Sequence, residues 1–133
     1  MSRLLVDTSF LIDADRSGSM LDDLIADDDE VAIAAITLAE LLVGVHLADA
    51  AHSPRRQAFI EDVIDHVPMI DDDASVASSH AELLAHVRRR GQPRGAHDLI
   101  IAATAKATQR EVISGDDSAY RDLPGVTVRP HRS

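Results

Sequence analysis

Short apolar runs alternate along the chain with longer stretches in which apolar residues recur at helical spacing. The short runs occupy residues 3–7, 31–36, 67–70, 111–114 and 126–128. Each is of strand length, and the run at 31–36 is apolar on both faces, which is typical of a parallel strand covered by helices. The run at 67–70 contains Pro68, which favours a position near a sheet edge.

The stretches between these runs have the periodicity of amphipathic helices. The predicted helices span residues 8–16, 20–26, 37–50, a segment opening at Ser53-Pro54, 71–90 and 97–109. In the segment after Ser53, the pattern predicts that Phe59, Ile60, Val63 and Ile64 face the core. Alternating strands and helices indicate an α/β fold with a mainly parallel central sheet. We expect a single domain over residues 1–133, because the pattern shows no linker and no repeat.

Composition limits the chemistry of this domain. Aromatic residues make up only 2% of the chain, so the core must consist of Leu, Ile, Val and Ala. The absence of cysteine excludes a disulfide scaffold and thiolate metal sites. The chain opens without a signal-like segment, and its apolar runs stay well below the ~18 residues of a membrane span. We therefore expect a cytoplasmic protein without membrane association.

The net charge of −10 argues against nucleic-acid binding, which depends on neutralising phosphates. Bound divalent cations would weaken this objection, and so does the uneven placement of the basic residues. A cluster of arginines comprises Arg88, Arg89, Arg90 and Arg94. These side chains would complement a helix C-terminus, contact an RNA backbone, or bind an acidic segment of a partner.

Four acidic residues, distant in sequence, are predicted to meet at one edge of the sheet. Asp7 ends the first strand, and Glu40 lies in the first turn of the helix after the second. Asp98 lies in the first turn of a later helix, and Asp116 follows the strand at 111–114. Carboxyl ends of parallel strands share one edge, and ligands bind there.

Clustered carboxylates repel one another, and a divalent cation removes that cost. Mg²⁺ and Mn²⁺ prefer oxygen ligands and can activate water for phosphoryl displacement. The hydroxyls of Thr8, Ser9 and Ser114 would orient the carboxylates or bind a phosphate oxygen. The pattern therefore favours a metal-dependent nuclease in which Asp7, Glu40, Asp98 and Asp116 hold Mg²⁺ or Mn²⁺.

Each acid also has a purely structural interpretation. Asp7 would cap the helix that follows it, and Thr37 with Glu40 has the spacing of a capping box. Asp98 would complement a helix dipole, and Asp116 or Asp117 would cap a turn. None of these alternatives explains why all four acids should meet at one edge. For His97, a capping or surface role is favoured over a ligand or an RNA contact.

The same residues resemble the motifs of a known family. Leu5-Val6-Asp7-Thr8-Ser9 is similar to the start of PIN domains, and Ile36-Thr37-Leu38-Ala39-Glu40 is similar to their second acidic motif. His97-Asp98-Leu99-Ile100-Ile101-Ala102-Ala103 and Val112-Ile113-Ser114-Gly115-Asp116, with Tyr120, resemble the third and closing motifs. The order of these motifs resembles that of VapC-type toxins from bacterial VapBC toxin–antitoxin modules.

This resemblance implies a three-layer α/β/α PIN-like fold and a Mg²⁺- or Mn²⁺-dependent endoribonuclease that cleaves structured RNA, either tRNA or ribosomal RNA. It implies a homodimer that is inhibited by a VapB-like antitoxin. Carried over to this chain, the acids are Asp7, Glu40, Asp98 and Asp116, and Ser9 and Ser114 are supporting hydroxyls. Either Asp116 or Asp117 is the fourth acid.

Two other functions remain open from the residues alone. One is a phosphatase or phosphotransferase of the haloacid-dehalogenase or receiver type, but Ser9 stands where the former needs a second Asp. A receiver needs a Lys after a late strand, which the chain lacks. The other alternative is a catalytically inactive PIN-like module that only binds RNA.

Overall fold

The computed structural model describes residues 2–18 and 28–130. The predicted helix at 20–26 lies outside these ranges. The strands are β1 (Arg3–Val6), β2 (Glu30–Ala34), β3 (Met69–Ile70), β4 (Glu111–Ser114) and β5 (Val128–Pro130). The helices are α1 (Thr8–Ser17), α2 (Ala35–Leu47), α3 (Ser53–His66), α4 (Ala74–Arg90) and α5 (Ala96–Thr108), with a short 3-10 helix at Asp117–Ala119.

The five strands form one sheet in the order β3-β2-β1-β4-β5, and every neighbouring pair is parallel. The central strand β1 pairs with β2 on one side, through Leu5 and Ala32, and with β4 on the other, through Val6 and Ile113. The strands that follow β1 are added first on one side of it, as β2 and β3, and then on the other side, as β4 and β5. In open parallel sheets such a switch point leaves a crevice at the carboxyl ends of the strands. The predicted parallel α/β architecture is confirmed.

Two separate core clusters occupy the two faces of the sheet. On one face, Leu5 and Val112 pack with residues of α4 and α5, among them Leu83 and Ile101. On the other face, Val6 and Ile33 pack with residues of α1, α2 and α3, including Phe10, Leu41 and Ile60. Adjacent strand residues point to opposite faces, so Leu5 and Val6 belong to different clusters. The three-layer α/β/α arrangement follows from this division.

Several details of the helices differ from the sequence-based prediction. Helix α2 begins at Ala35, two residues before the predicted start, and its N-cap residue Ala34 makes no side-chain capping bond. Thr37 is therefore a buried residue inside the first turn, and the predicted capping box is wrong. In α3, Ile60 and Val63 are buried as predicted, but Ile64 is 49% exposed because it lies on the outer side of the helix.

Arg110 fastens the amino-terminal edge of the sheet. Its guanidinium donates to the main-chain oxygens of Leu4 and Glu30, both at 3.4 Å, and to the Glu30 carboxylate at 2.7 Å. These contacts join the starts of β1 and β2 to the segment before β4. Among the helices of the described ranges, none combines the length and the apolar composition needed to cross a membrane.

Candidate active site

The four predicted acids line one cleft at the carboxyl edge of the sheet. This cleft has a volume of about 250 Å³ and is lined by Asp7, Thr8, Ser9, Ile12, Glu40, Asp98, Ile101, Asp116 and Ala119. The acids come from the end of β1, the first turns of α2 and α5, and the segment after β4. The topology thus brings together the residues that the strand order predicted would meet.

Asp7 is the most deeply buried of the four acids, with 4% of its surface exposed. Its Oδ1 accepts from the Phe10 main-chain N–H and the Ser9 hydroxyl, both at 2.9 Å. Its Oδ2 accepts from the Ser114 hydroxyl at 2.5 Å and the Tyr120 hydroxyl at 2.9 Å. These four donors engage both oxygens of the carboxylate. Asp7 therefore caps α1 and also belongs to the acidic cleft.

Ser9 and Ser114 join the start of α1 to the end of β4. Their hydroxyl oxygens lie 3.2 Å apart. The Ser114 oxygen accepts from the Asp116 N–H at 2.9 Å, and the Ser9 oxygen accepts from the Gly115 N–H at 3.2 Å. Both hydroxyls contact Asp7, which is the supporting arrangement predicted for them.

Glu40 is oriented by side chains from two other elements. The Thr8 hydroxyl donates to Oε1 at 2.6 Å, and Nδ1 of His97 lies 3.1 Å from Oε2. The buried Thr37 hydroxyl lies 3.4 Å from that of Thr8. Since Glu40 makes these long-range contacts instead of a capping box, it points into the cleft. His97 lies on the surface as favoured, yet it contacts an acid of the cleft.

The pKa of Asp98 is raised by its surroundings in the cleft. Partial burial raises the pKa of its carboxyl, and the carboxylates of Asp7, Glu40 and Asp116 raise that pKa further. The neighbouring His97 opposes the effect. A position in the first turn of α5 would by itself stabilise a carboxylate. The raised pKa shows that burial and the repulsion from the other acids disfavour the charged form of Asp98.

The structure distinguishes between the two adjacent aspartates after β4. Asp116 lines the cleft, and its Oδ1 accepts from the Ser118 N–H at 3.3 Å and from the Ser118 hydroxyl at 2.5 Å. Asp117 points elsewhere and forms an ion pair with Arg121 at 3.2 Å. Asp116 is therefore the residue that accompanies the other three acids, and it also caps the 3-10 helix.

Tyr120 belongs to the closing motif noted in the sequence, but it was not among the predicted site residues. It is 1% exposed, and its hydroxyl reaches Asp7 from the turn after β4. Burial and the nearby Asp7 carboxylate raise the pKa of this hydroxyl, so it stays protonated and acts as a donor. The sequence offered two signals, since Tyr120 accompanies the closing motif and is the only tyrosine in a chain with few aromatic residues.

The arginine cluster divides into two groups with different surroundings. Arg88, Arg89 and Arg90 are exposed in the last turn of α4. Arg94 instead donates to the main-chain oxygens of Ala119 at 3.2 Å and Arg121 at 2.8 Å. The guanidinium of Arg94 thus fastens the turn after β4.

The donor set of the cleft consists of carboxylate and hydroxyl oxygens, which are the ligands that Mg²⁺ and Mn²⁺ prefer. The mutual repulsion recorded at Asp98 is the cost that a cation would remove. In residues 2–18 and 28–130, no three Asp, Glu or His side chains stand close enough together to hold an ion in this arrangement. The chemistry of the residues fits a hard divalent cation.

Comparisons with known proteins identify the family of this chain. Residues 4–125 match the PIN domain family. Ribonuclease VapC5 of Mycobacterium tuberculosis is 41% identical over 116 residues, which cover 85% of this chain and 82% of that protein. The tRNA(fMet)-specific endonuclease VapC of Salmonella typhimurium is 29% identical over 97 residues, covering 72% and 71% of the two chains.

The fold is shared with solved toxin–antitoxin structures. The structure of VapBC-5 from Mycobacterium tuberculosis, a member of the VapBC family of toxin-antitoxin systems, contains a chain that is 32% identical to this one. The two superpose with a TM-score of 0.78, and the alignment covers 100% of both chains. The chain belongs to the PIN-domain family, and within that family to the VapC type.

Proposed function

We propose that the chain is a divalent-metal-dependent endoribonuclease, the toxin of a type II toxin–antitoxin system, acting on structured RNA such as tRNA or ribosomal RNA. The main support is the convergence of four acids in one cleft, with the pKa of Asp98 raised by burial and by the other three. The names of the relatives agree, since one is a ribonuclease and another a tRNA(fMet)-specific endonuclease.

Asp7, Glu40, Asp98 and Asp116 would hold Mg²⁺ or Mn²⁺ in the proposed enzyme. Such an ion supplies a more acidic bound water and stabilises the charge that develops on a phosphoryl group in transit. The protein itself supplies the orientation of the carboxylates. Thr8 and His97 direct Glu40, and the Ser9 and Ser114 hydroxyls direct Asp7.

In the proposed reaction a water oxygen bonds to phosphorus while the bond from phosphorus to one ribose oxygen breaks. The leaving oxygen takes a proton, so the products are a phosphate-ended and a hydroxyl-ended RNA fragment. The exposed Arg88, Arg89 and Arg90 would contact the RNA backbone away from the acids. Arg94 makes its two described contacts to main-chain oxygens, which leaves fewer of its guanidinium N–H groups to contact RNA.

The test is cleavage of total tRNA and ribosomal RNA by the purified chain. We expect cleavage with Mg²⁺ or Mn²⁺, loss of cleavage in EDTA, and recovery when the metal is returned. Asp7→Asn and Asp98→Asn should abolish cleavage while the circular dichroism spectrum stays unchanged. Asp72→Asn removes an exposed carboxylate outside the cleft and serves as the control. Full activity of either site variant, or activity in EDTA, would refute the mechanism.

The same preparation separates the two alternative functions. An inactive RNA-binding module would bind RNA in a gel-shift assay without cleaving it under any metal condition. A phosphatase would release phosphate from a small phosphomonoester such as p-nitrophenyl phosphate. The presence of all four acids in the cleft favours the nuclease over both.

A VapB-like antitoxin and a second copy of the chain are the proposed protein partners. A second cleft of about 130 Å³ lies between α1, α2 and α3 and shares Ile12 and Glu40 with the acidic cleft. Its apolar floor includes Leu41 and Phe59. This continuity supports inhibition by an antitoxin segment lying over the active site. Co-purification with a VapB-like antitoxin would test the first partner, and failure to co-purify would refute it. Light scattering of the chain alone would test the second copy, and a monomeric mass would refute it.

A further inference from the structure

We propose that Tyr120 is a positioning residue for Asp7, and that Arg94 holds Tyr120 in place by fastening the main chain on both sides of it. The inference rests on the proposed nuclease function. It assigns to this pair a role in setting the direction of the deepest carboxylate of the site.

The hydroxyl of Tyr120 is a fixed donor. Its ring is buried in the core cluster that also contains Leu99 and Leu123, so the ring cannot turn away from the cleft without disrupting that packing. The hydroxyl oxygen lies 2.9 Å from Asp7 Oδ2. The packing of the core therefore fixes the position of the hydroxyl that donates to Asp7.

The four donors to Asp7 fall into two kinds. The Phe10 N–H and the Tyr120 hydroxyl are held by the α1 backbone and by the core, and they contact opposite oxygens of the carboxylate. The hydroxyls of Ser9 and Ser114 lie on short side chains at the cleft, and each also contacts the other. One fixed donor on each oxygen is sufficient to set the carboxylate plane. Either serine can then release Asp7 without the carboxylate swinging.

Arg94 acts on the main chain next to Tyr120. It donates to the carbonyl oxygens of Ala119 and Arg121, which are the residues immediately before and after the tyrosine. Arg94 itself lies between α4 and α5, four residues before Asp98. The guanidinium therefore joins the segment that leads into Asp98 to the turn that positions Asp7.

The experiment compares Tyr120→Phe with the wild-type chain. Phenylalanine keeps the buried ring and removes only the hydroxyl. We measure the Kd for Mn²⁺ by isothermal titration calorimetry, and kcat and KM with an RNA oligonucleotide. Loss of a group that orients a metal ligand typically costs about 10- to 100-fold in metal affinity or activity. We expect the Mn²⁺ Kd to rise and kcat to fall within that range, with KM unchanged.

Arg94→Ala should shift both quantities in the same direction, and the double variant should lose no more than Tyr120→Phe alone, because the two residues act in series. Arg121→Ala is the matched control. It truncates an exposed side chain on the same turn and keeps the main-chain oxygen that Arg94 uses.

An unchanged Mn²⁺ Kd and kcat in Tyr120→Phe would overturn the positioning role. Fully additive effects of Tyr120→Phe and Arg94→Ala would overturn the link between them. These failures leave the nuclease function intact if the wild-type chain cleaves RNA and Asp98→Asn does not. If the wild-type chain cleaves no RNA, the proposed function fails, and the Mn²⁺ titration still decides the positioning role.

Discussion

Neutralising Asp98 should make the protein more stable while abolishing its activity. Asp98→Asn keeps the size and shape of the side chain and removes one of the charges that repel one another in the cleft. The pKa of Asp98 is raised by burial and by the three other acids, so the folded state binds this proton more tightly than the unfolded state does. The contribution of Asp98 to stability is therefore fully present below its usual pKa of 3.8 and is lost as pH rises through the raised pKa.

The expected gain is modest because the cleft is open to solvent. Substitutions that relieve functional strain commonly stabilise by about 0.5–2 kcal/mol, and screening favours the lower half of that range. For a chain of 133 residues, about 1 kcal/mol corresponds to a rise in Tm of roughly 3–4 °C. Saturating Mg²⁺ at ten times its Kd would add about 1.4 kcal/mol to the wild-type chain and less to the variant.

Differential scanning calorimetry from pH 3 to pH 8 measures this effect. The advantage of Asp98→Asn should be complete above the raised pKa, shrink as pH falls through it, and be nearly absent at pH 3, where the carboxyl is mostly protonated in both states. Asp72→Asn, which removes an exposed carboxylate, should show no comparable gain. A variant no more stable than this control at pH 7, or an advantage that persists at pH 3, would refute the repulsion argument.

Two further predictions concern the edges of the molecule. Arg110→Ala should destabilise the fold by about 2–3 kcal/mol, because the largely buried guanidinium donates to two main-chain oxygens and a carboxylate. Urea denaturation measures this change, and a value below 0.5 kcal/mol (about RT) would contradict it. Replacing Arg88, Arg89 and Arg90 by Ala should weaken RNA binding and reduce the slope of log K against log salt by about 2, since each phosphate contact contributes roughly 0.7 to that slope. An unchanged slope would reject the backbone contacts.

Local patterns in the sequence were sufficient to predict an α/β fold with a mainly parallel sheet. Alternating strand and helix periodicity predicted the parallel sheet, because hydrophobic spacing records which face of each element is buried. The convergence of Asp7, Glu40, Asp98 and Asp116 followed from the rule that parallel strands end at one edge. This prediction needed only the order of the elements, and the structure places all four acids in one cleft.

Hydrogen-bond partners required the tertiary structure. Thr37 and Glu40 have the spacing of a capping box, but α2 starts earlier, and their hydroxyl and carboxylate contact Thr8 instead. Asp116 and Asp117 are indistinguishable by residue type, and only the path of the turn after β4 separates the one in the cleft from the one beside Arg121.

Tyr120 and Arg94 show most clearly that sequence patterns do not determine hydrogen-bond partners. The Tyr120 hydroxyl meets Asp7 across 113 residues of chain, and Arg94 meets the carbonyl of Arg121 across 27. Periodicity reports only which face of an element is buried, and it carries no information about which atoms meet once separate elements pack. The sequence alone therefore determined the fold class and the acids that share an edge. The packed structure alone decided which donors hold each carboxylate in place. A hydrogen bond requires its donor and acceptor to lie within a few tenths of an ångström of the preferred distance, and only the packing of the elements sets that distance.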